Sequence, residues 1–205
     1  TNDGGNGHEP EDGVGQGHSS VKVWIIDTGT GLGHTGLPNS DHGIDGYRPY
    51  GNDERWDVDT HSHGTHCAGT IGAIGSNGIG VTSVNPDPDK FTFFVGKGLT
   101  NSGTGTTAAI IAAVDKCVEM GAKVISMSLG CDGCYSAVEE AAMKEAYDEG
   151  VLVIAAAGNS GNTALSYPAS YATVMSVGAV DSNKNIAYFS QHNGQVEISA
   201  PGVGI

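Results

Sequence analysis

Short, mostly apolar runs recur along this chain and constrain it more than any other feature. Residues 21–26, 91–95, 124–129, 151–155, 174–180 and 196–199 are rich in β-branched side chains and break at Gly, Pro, Asp or Ser. They show little apolar/polar alternation, so each is expected to be a strand buried on both faces. Residues 106–120 carry Ala108, Ile111, Val114 and Val118 at helical spacing, with Gly121 just past the end. Ser136 opens a second helix, with Val138, Ala141, Ala142 and Ala146 on one side and Gly150 closing it. Residues 63–74 are small and apolar enough for a buried helix. Strands alternating with helices imply an α/β fold of three layers, a mostly parallel central sheet with helices on both faces. Ligands in such sheets sit beyond the carboxyl ends of the strands, which directs attention to Asp27, to Ser128-Leu129-Gly130 and to Ala157-Gly158-Asn159.

Composition excludes several classes. A net charge of −14 would repel phosphates, so nucleic acid is not an expected partner. The longest apolar stretch, 151–157, is too short to span a bilayer, so no membrane span is expected. Gly makes up 33 of 205 residues without a collagen period, which points to tight turns and close backbone approaches. Residues 1–20 read as an irregular, acidic, Gly-rich segment ahead of a domain spanning 21–205. Thr1 at the start and a loop at the end suggest a processed or partial sequence.

Three segments carry chemistry. Ile26-Asp27-Thr28-Gly29 puts a carboxylate at the end of a buried strand, where it needs a partner, although Asp before Thr-Gly is also ordinary turn chemistry. His61-Ser62-His63-Gly64-Thr65-His66 clusters three imidazoles. They could cradle zinc through His61, His63 and His66, or one could be a general base. The neighbouring Gly64, Ala68 and Gly69 favour a close-packed catalytic helix. Ala156-Ala157-Gly158-Asn159-Ser160 offers an amide at a strand end, suited to stabilising an oxyanion or simply to a Gly-Asn turn.

Taken together, these pieces resemble the subtilisin-like serine proteases (subtilases, peptidase S8). The matching motifs are Val23 to Gly29, His63-Gly64-Thr65-His66-Cys67-Ala68-Gly69-Thr70, Met127-Ser128-Leu129-Gly130 and Ala156 to Gly161. Tyr167-Pro168-Ala169, then Val177 to Asp181 and Ala200-Pro201-Gly202, complete the series in the family's order. The resemblance covers roughly residues 21–205. It implies a serine endopeptidase in which Asp27 is the triad acid, His63 the general base and Asn159 an oxyanion donor. It also implies that an extended polypeptide substrate pairs with Gly103-Thr104-Gly105 and Ser128-Leu129-Gly130. A specificity pocket would be lined by Ser128 to Gly130 and by Ala156, Ala157 and Gly158, and Gly158→Val would then block large side chains.

The departures from the family pattern are equally specific. Subtilases run Asp, His, Ser along the chain, and the serine sits in a Gly-Thr-Ser-Met-Ala type motif beyond Ala-Pro-Gly. No serine of the sequence has that context, so the peptidase domain is expected to be incomplete, truncated at its C-terminus, and inactive as this stretch alone. A dead, substrate-binding pseudoprotease is the non-enzymatic alternative. No cofactor is required. A structural calcium is weakly implied, because Gly36 stands where a carboxylate is expected while residues 75–81 resemble the family's calcium loop. The resemblance further implies a secreted, monomeric protein and a propeptide that inhibits it. Cys67 is expected as a buried free thiol, and Cys131 pairs with Cys134 or else Cys117 pairs with either. Tyr167-Pro168 is expected to anchor a turn.

Overall fold

The computed structural model describes residues 21–49 and 54–205. The expected irregular segment, 1–20, lies outside the described residues. The chain divides into two compact units, 2–123 and 124–205.

The first unit is built on strands β1 (Val23–Asp27), β2 (Asp45–Tyr47) and β3 (Phe93–Lys97) and helices α1 (His63–Gly72) and α2 (Thr107–Glu119). Strand β3 lies between β1 and β2 and is parallel to both, with Asp27 opposite Lys97. Ile25, Phe93 and Val95 form the centre of the core with Ala68 of α1, and Leu37, Ile44, Ala73 and Phe91 close it. Helix α1 presents only Gly64, Ala68 and Gly72 as buried residues, so its backbone lies close to β1. Gly72 is the tightest of these on the sheet side, since a Cβ there would come 2.8 Å from the Phe93 ring.

The second unit contains β4 (Val124–Met127), β5 (Cys131–Asp132), β6 (Leu152–Ala156), β7 (Ser166–Tyr167), β8 (Val174–Val180), β9 (Val196–Pro201) and α3 (Ala137–Asp148). Strands β4, β6, β8 and β9 pair in that order, all parallel. Strands β5 and β7 form a small antiparallel pair. Cys131 and Cys134 are disulfide-bonded, which leaves Cys67 half-buried and Cys117 buried as free thiols. Burial pushes the Cys117 thiol pKa up. Tyr167-Pro168 is a cis peptide bond.

Among the described residues of both units, seven strands join parallel ladders, so the mostly parallel α/β class holds. No helix among the described residues is long and apolar enough to cross a membrane.

Helix boundaries match the sequence expectation closely, because caps fix them. Thr106 accepts from the Ala109 N–H and starts α2, and Ser136 does the same for α3 through Glu139. At the other ends, Gly121 N–H bonds Val118 O and Ala122 N–H bonds Cys117 O; Gly150 and Val151 repeat the pattern on Tyr147 and Ala146. These are paired reversals through a left-handed glycine, at φ 77° in both cases.

Helix faces differ from expectation. The buried side of α3 is Glu139, Ala142, Met143 and Ala146, while Val138 is 69% exposed. In α2 the buried set is Ala109, Ile110, Ala113, Val114 and Cys117, not the stripe through Ala108 and Ile111. Both helices are so rich in Ala that apolar spacing fits more than one face. The phase is set by Ile110, Val114 and Met143, which are large enough to need the core. Glu139 is tolerated because the Tyr171 hydroxyl donates to its Oε2 at 2.9 Å.

Gly150 has open space where a Cβ would stand, so its conformation alone is at issue. Gly150→Ala is expected to destabilise the full-length protein by about 1–2 kcal/mol, the cost of a left-handed non-glycine residue. Gly150→Asn is expected to cost less. Urea unfolding of the two variants checks this.

Candidate active site

The carboxyl end of β1 delivers Asp27 into the interior, where it is 0% exposed. Its Oδ1 accepts the Thr28 N–H at 2.7 Å and meets His63 Nδ1 at 2.7 Å. Asp27 Oδ2 is buried without a hydrogen-bond partner among the described residues. His63 is the first residue of α1, and its side chain is 44% exposed. The ring thus has one edge on a buried acid and another toward solvent. Asp27's hydrogen bond raises the His63 pKa from 6.5 to about 10, the Cys67 contact adds to this, and burial opposes it. A raised folded-state value means that the charged ring contributes stability fully below about pH 6.5, lost as pH rises through about 10.

The acid and base meet because α1 can come close to the turn after β1. A Cβ on Gly64 would fall 2.2 Å from Gly29 O and 3.1 Å from Thr28 Oγ1. Only a residue without a side chain permits that approach. Thr28 Oγ1 accepts the Gly64 N–H at 2.9 Å, and Thr65 Oγ1 accepts the Gly31 N–H at 3.0 Å. Lys97 reaches the same region from the end of β3. It is fully buried, with its ammonium on Thr28 O, on Val58 O at 3.3 Å and on Asn101 Oδ1 at 2.9 Å. Glu54 Oε2 stands 3.5 Å away as its counter-ion.

Among the described residues, the ligand atoms that lie within 4.8 Å of one another as a potential metal group belong to Asp27, His63 and Cys67. His61 and His66 are not part of that group, so the imagined three-imidazole cradle does not form. His61 instead stands edge-on to His63, with ring centroids 6.1 Å apart. A Cβ on Gly103 would fall 2.6 Å from His61 Nε2. Cys67 Sγ lies 4.0 Å from His63 Nδ1. A metal bound through Nδ1 would displace the hydrogen bond to Asp27. Residues 75–81 hold no carboxylate, and Asn77 Oδ1 already accepts the Ile79 N–H at 3.1 Å. A calcium ion there would depend on backbone carbonyls.

The remaining expected site residues are positioned as follows. Thr104 and Gly105 are exposed and Gly103 is half-buried, beside a cluster of the Thr100, Ser102 and Thr104 hydroxyls. In the second unit, Ser128 and Gly130 are exposed and Leu129 is half-buried, just past β4. Ala156 is exposed at the end of β6, whereas Ala157 is 3% exposed and gives its N–H to Val177 O at 2.9 Å. Asn159 is exposed. Gly158 has φ 112°, and a Cβ there would fall 1.6 Å from Gln191 Oε1. Gln191 is buried and donates to Asp132 Oδ1 and Ala164 O. Gly158→Val would therefore collide with Gln191.

The family model for subtilases, peptidase S8, matches residues 18–204. The chain belongs to the subtilase family. Subtilisin DY of Bacillus licheniformis is 41% identical over 191 residues, covering 91% of this chain and 66% of that protein. Thermitase of Thermoactinomyces vulgaris is 37% identical over 184 residues, covering 90% of this chain and 63% of thermitase. Among solved structures, the psychrophilic subtilisin-like protease Apa1 from the Antarctic psychrotroph Pseudoalteromonas sp. AS-11 superposes with a TM-score of 0.78 at 43% identity. That match covers 89% of this chain and 41% of Apa1. This subtilase chain thus spans a little under two thirds of the curated relatives just named.

Sequence motifs led to Asp27 and His63 but missed the residues that frame them. Lys97 lies beyond the apolar run 91–95, and Thr28 reads as turn chemistry. Asp59 stands three residues ahead of the N-cap Ser62, outside the usual capping pattern, so no local signal marks it.

Gly64→Ala is expected to push α1 off the turn after β1. The full-length protein should lose about 1–3 kcal/mol by overpacking. The low-field Nδ1–H resonance of His63, read by proton NMR, should weaken with it.

Proposed function

We propose that the protein is a serine endopeptidase hydrolysing peptide bonds through an Asp-His-Ser triad, with Asp27 as the acid and His63 as the base. The observation that supports this most is the 2.7 Å contact between His63 Nδ1 and the fully buried Asp27. With Nδ1–H donating to the carboxylate, the tautomer leaves Nε2 with a lone pair. Nε2 takes the proton of a serine hydroxyl as the oxygen attacks the scissile carbonyl. The Asn159 amide donates to the oxyanion that forms. His63 then returns the proton to the departing amine. Water repeats the sequence on the acyl-enzyme.

The serine itself lies outside residues 1–205 in this reading, because no serine here has the family's motif. Residues 1–205 alone should give no turnover of a peptide ester. Gly103 to Gly105 and Ser128 to Gly130 supply exposed backbone for an extended polypeptide, and the specificity pocket lies beside Ala156 and Gly158. The Cys131–Cys134 disulfide favours an oxidising, extracellular setting. A propeptide inhibitor and a monomeric state are part of the same proposal. A structural calcium at 75–81 would be accessory to the chemistry.

In the full-length protein, His63→Ala and Asp27→Asn should each abolish most peptide hydrolysis. Retained turnover in His63→Ala would overturn the assignment. Asn159→Ala should cost about 10²–10³ in kcat, a magnitude taken from subtilisin itself.

The base must be neutral to act, and its pKa is raised. The rising limb of kcat/KM against pH should therefore lie above pH 6.5. A Cys67→Ala variant should move that limb toward lower pH. A limb that stays in place would show that the thiol does not act on the ring.

A further inference from the structure

Asp59 lies in the segment that leads into α1, and its carboxylate gathers hydrogen bonds from both sides of the Asp27–His63 pair. Oδ1 accepts the Thr28 hydroxyl at 2.9 Å, the His61 N–H at 3.1 Å and the Ser62 N–H at 2.9 Å. Oδ2 accepts the Thr65 N–H at 2.9 Å and the Thr65 hydroxyl at 2.6 Å. Burial opposes its ionisation, but the donors of Thr65, Thr28 and Ser62 outweigh this and hold the carboxyl below its usual range.

The two hydroxyls make the arrangement directional. A threonine hydroxyl has one proton to give. Thr28 gives it to Asp59 and so turns a lone pair to the Gly64 N–H, while Thr65 gives its own to Asp59 and turns a lone pair to the Gly31 N–H. The bonds cross in opposite directions. Thr28 directly follows the acid and accepts from the residue directly after the base. Thr65 follows the base by two positions and accepts from the loop that follows the acid. One carboxylate thereby sets the proton direction of both clasps.

Asp59 also replaces the missing helix cap. Ser62 occupies the N-cap position at φ 73°, in the left-handed region, and its side chain makes no capping bond. The Thr65 N–H, an orphan donor of the first turn, goes to Asp59 instead. A negative charge there is favoured by the helix dipole. The segment is anchored from behind, since buried Lys97 holds Val58 O and Thr28 O together.

We propose that Asp59 is the positioning residue of the acid–base pair: it fixes the turn after β1 against the start of α1 at the separation that lets His63 Nδ1 meet Asp27. It touches neither substrate nor reacting atoms. The inference rests on the reading of Asp27 and His63 as acid and base.

The test uses the full-length protein and three readouts: kcat with KM, the His63 Nδ1–H proton resonance, and thermal stability. Asp59→Asn gives one of the two hydroxyls a donor where it had an acceptor. It is expected to lower kcat by about tenfold or more, in line with the sensitivity of such sites to small displacements. KM should stay near the wild-type value, and the resonance should broaden or move upfield. Thr28→Val should cause a similar loss, and the double variant should be less impaired than the product of the two single effects, as for groups in one network.

A variant that merely melts earlier, with kcat and the resonance unchanged, would reduce Asp59 to a helix cap and overturn the proposal. If Asp59→Asn does not fold, Thr65→Ser and Thr65→Val decide: Ser retains the resonance and Val weakens it if the clasp operates, and equal resonances overturn it. Failure of the catalytic reading is separable. Hydrolysis persisting in His63→Ala would refute that reading, whereas the resonance is measured without turnover and still reports on Asp59.

Discussion

A carboxylate removed from water at the end of a parallel strand is the constraint around which the first unit is arranged. Such a group is costly to bury unless donors meet it. Asp27 Oδ1 is met by the backbone of Thr28 and by the ring of His63, while Oδ2 is buried with no partner among the described residues. The imidazole is therefore both a chemical group and part of what makes the interior position tolerable. Any movement of α1 that lengthened this contact would leave a charge stranded.

Holding a helix terminus that near a turn requires absence as much as presence. Gly64 supplies the absence, since any side chain there would collide with Gly29. The presence is polar: two threonine hydroxyls, a carboxylate and an ammonium span the gap with directional bonds. Apolar packing through Ile25, Ala68 and Phe93 sets the distance between helix and sheet. The polar set then fixes where along the helix axis the imidazole stops.

Much of this was visible in the amino-acid sequence, and the failures share a cause. Strands built from Val and Ile, helix starts at Thr106 and Ser136, and helix ends before Gly121 and Gly150 were legible because each depends on neighbouring residues. The motif pairs containing Asp27 and His63 were legible because few chemistries need those groups in that order. Helix phase was misread in α2 and α3, where Ala is so frequent that the pattern has no unique face. Strand β2 was missed because three residues, one of them Gly46, show no period. Lys97 and Gln191 were passed over because their importance comes from partners distant in sequence, and Asp59 because the Thr28 hydroxyl that ties it to the acid lies 31 residues away. At Gly158 it is Gln191 that forbids a side chain, a packing constraint with no local sign in the sequence.

The two glycine reversals carry a consequence for how such a chain can change in length. Between α2 and β4, and between α3 and β6, the return is a few residues whose N–H groups are already committed to the last helical turn. An added residue there would break those bonds and rotate the next strand out of register. The segments that follow β4 and β6 at the opposite strand ends are held by other means, the Cys131–Cys134 disulfide after β4 and the bond from the Ala157 N–H to Val177 O after β6. Changes of chain length are thereby disfavoured at these two returns, where each glycine serves as a fixed counter of residues.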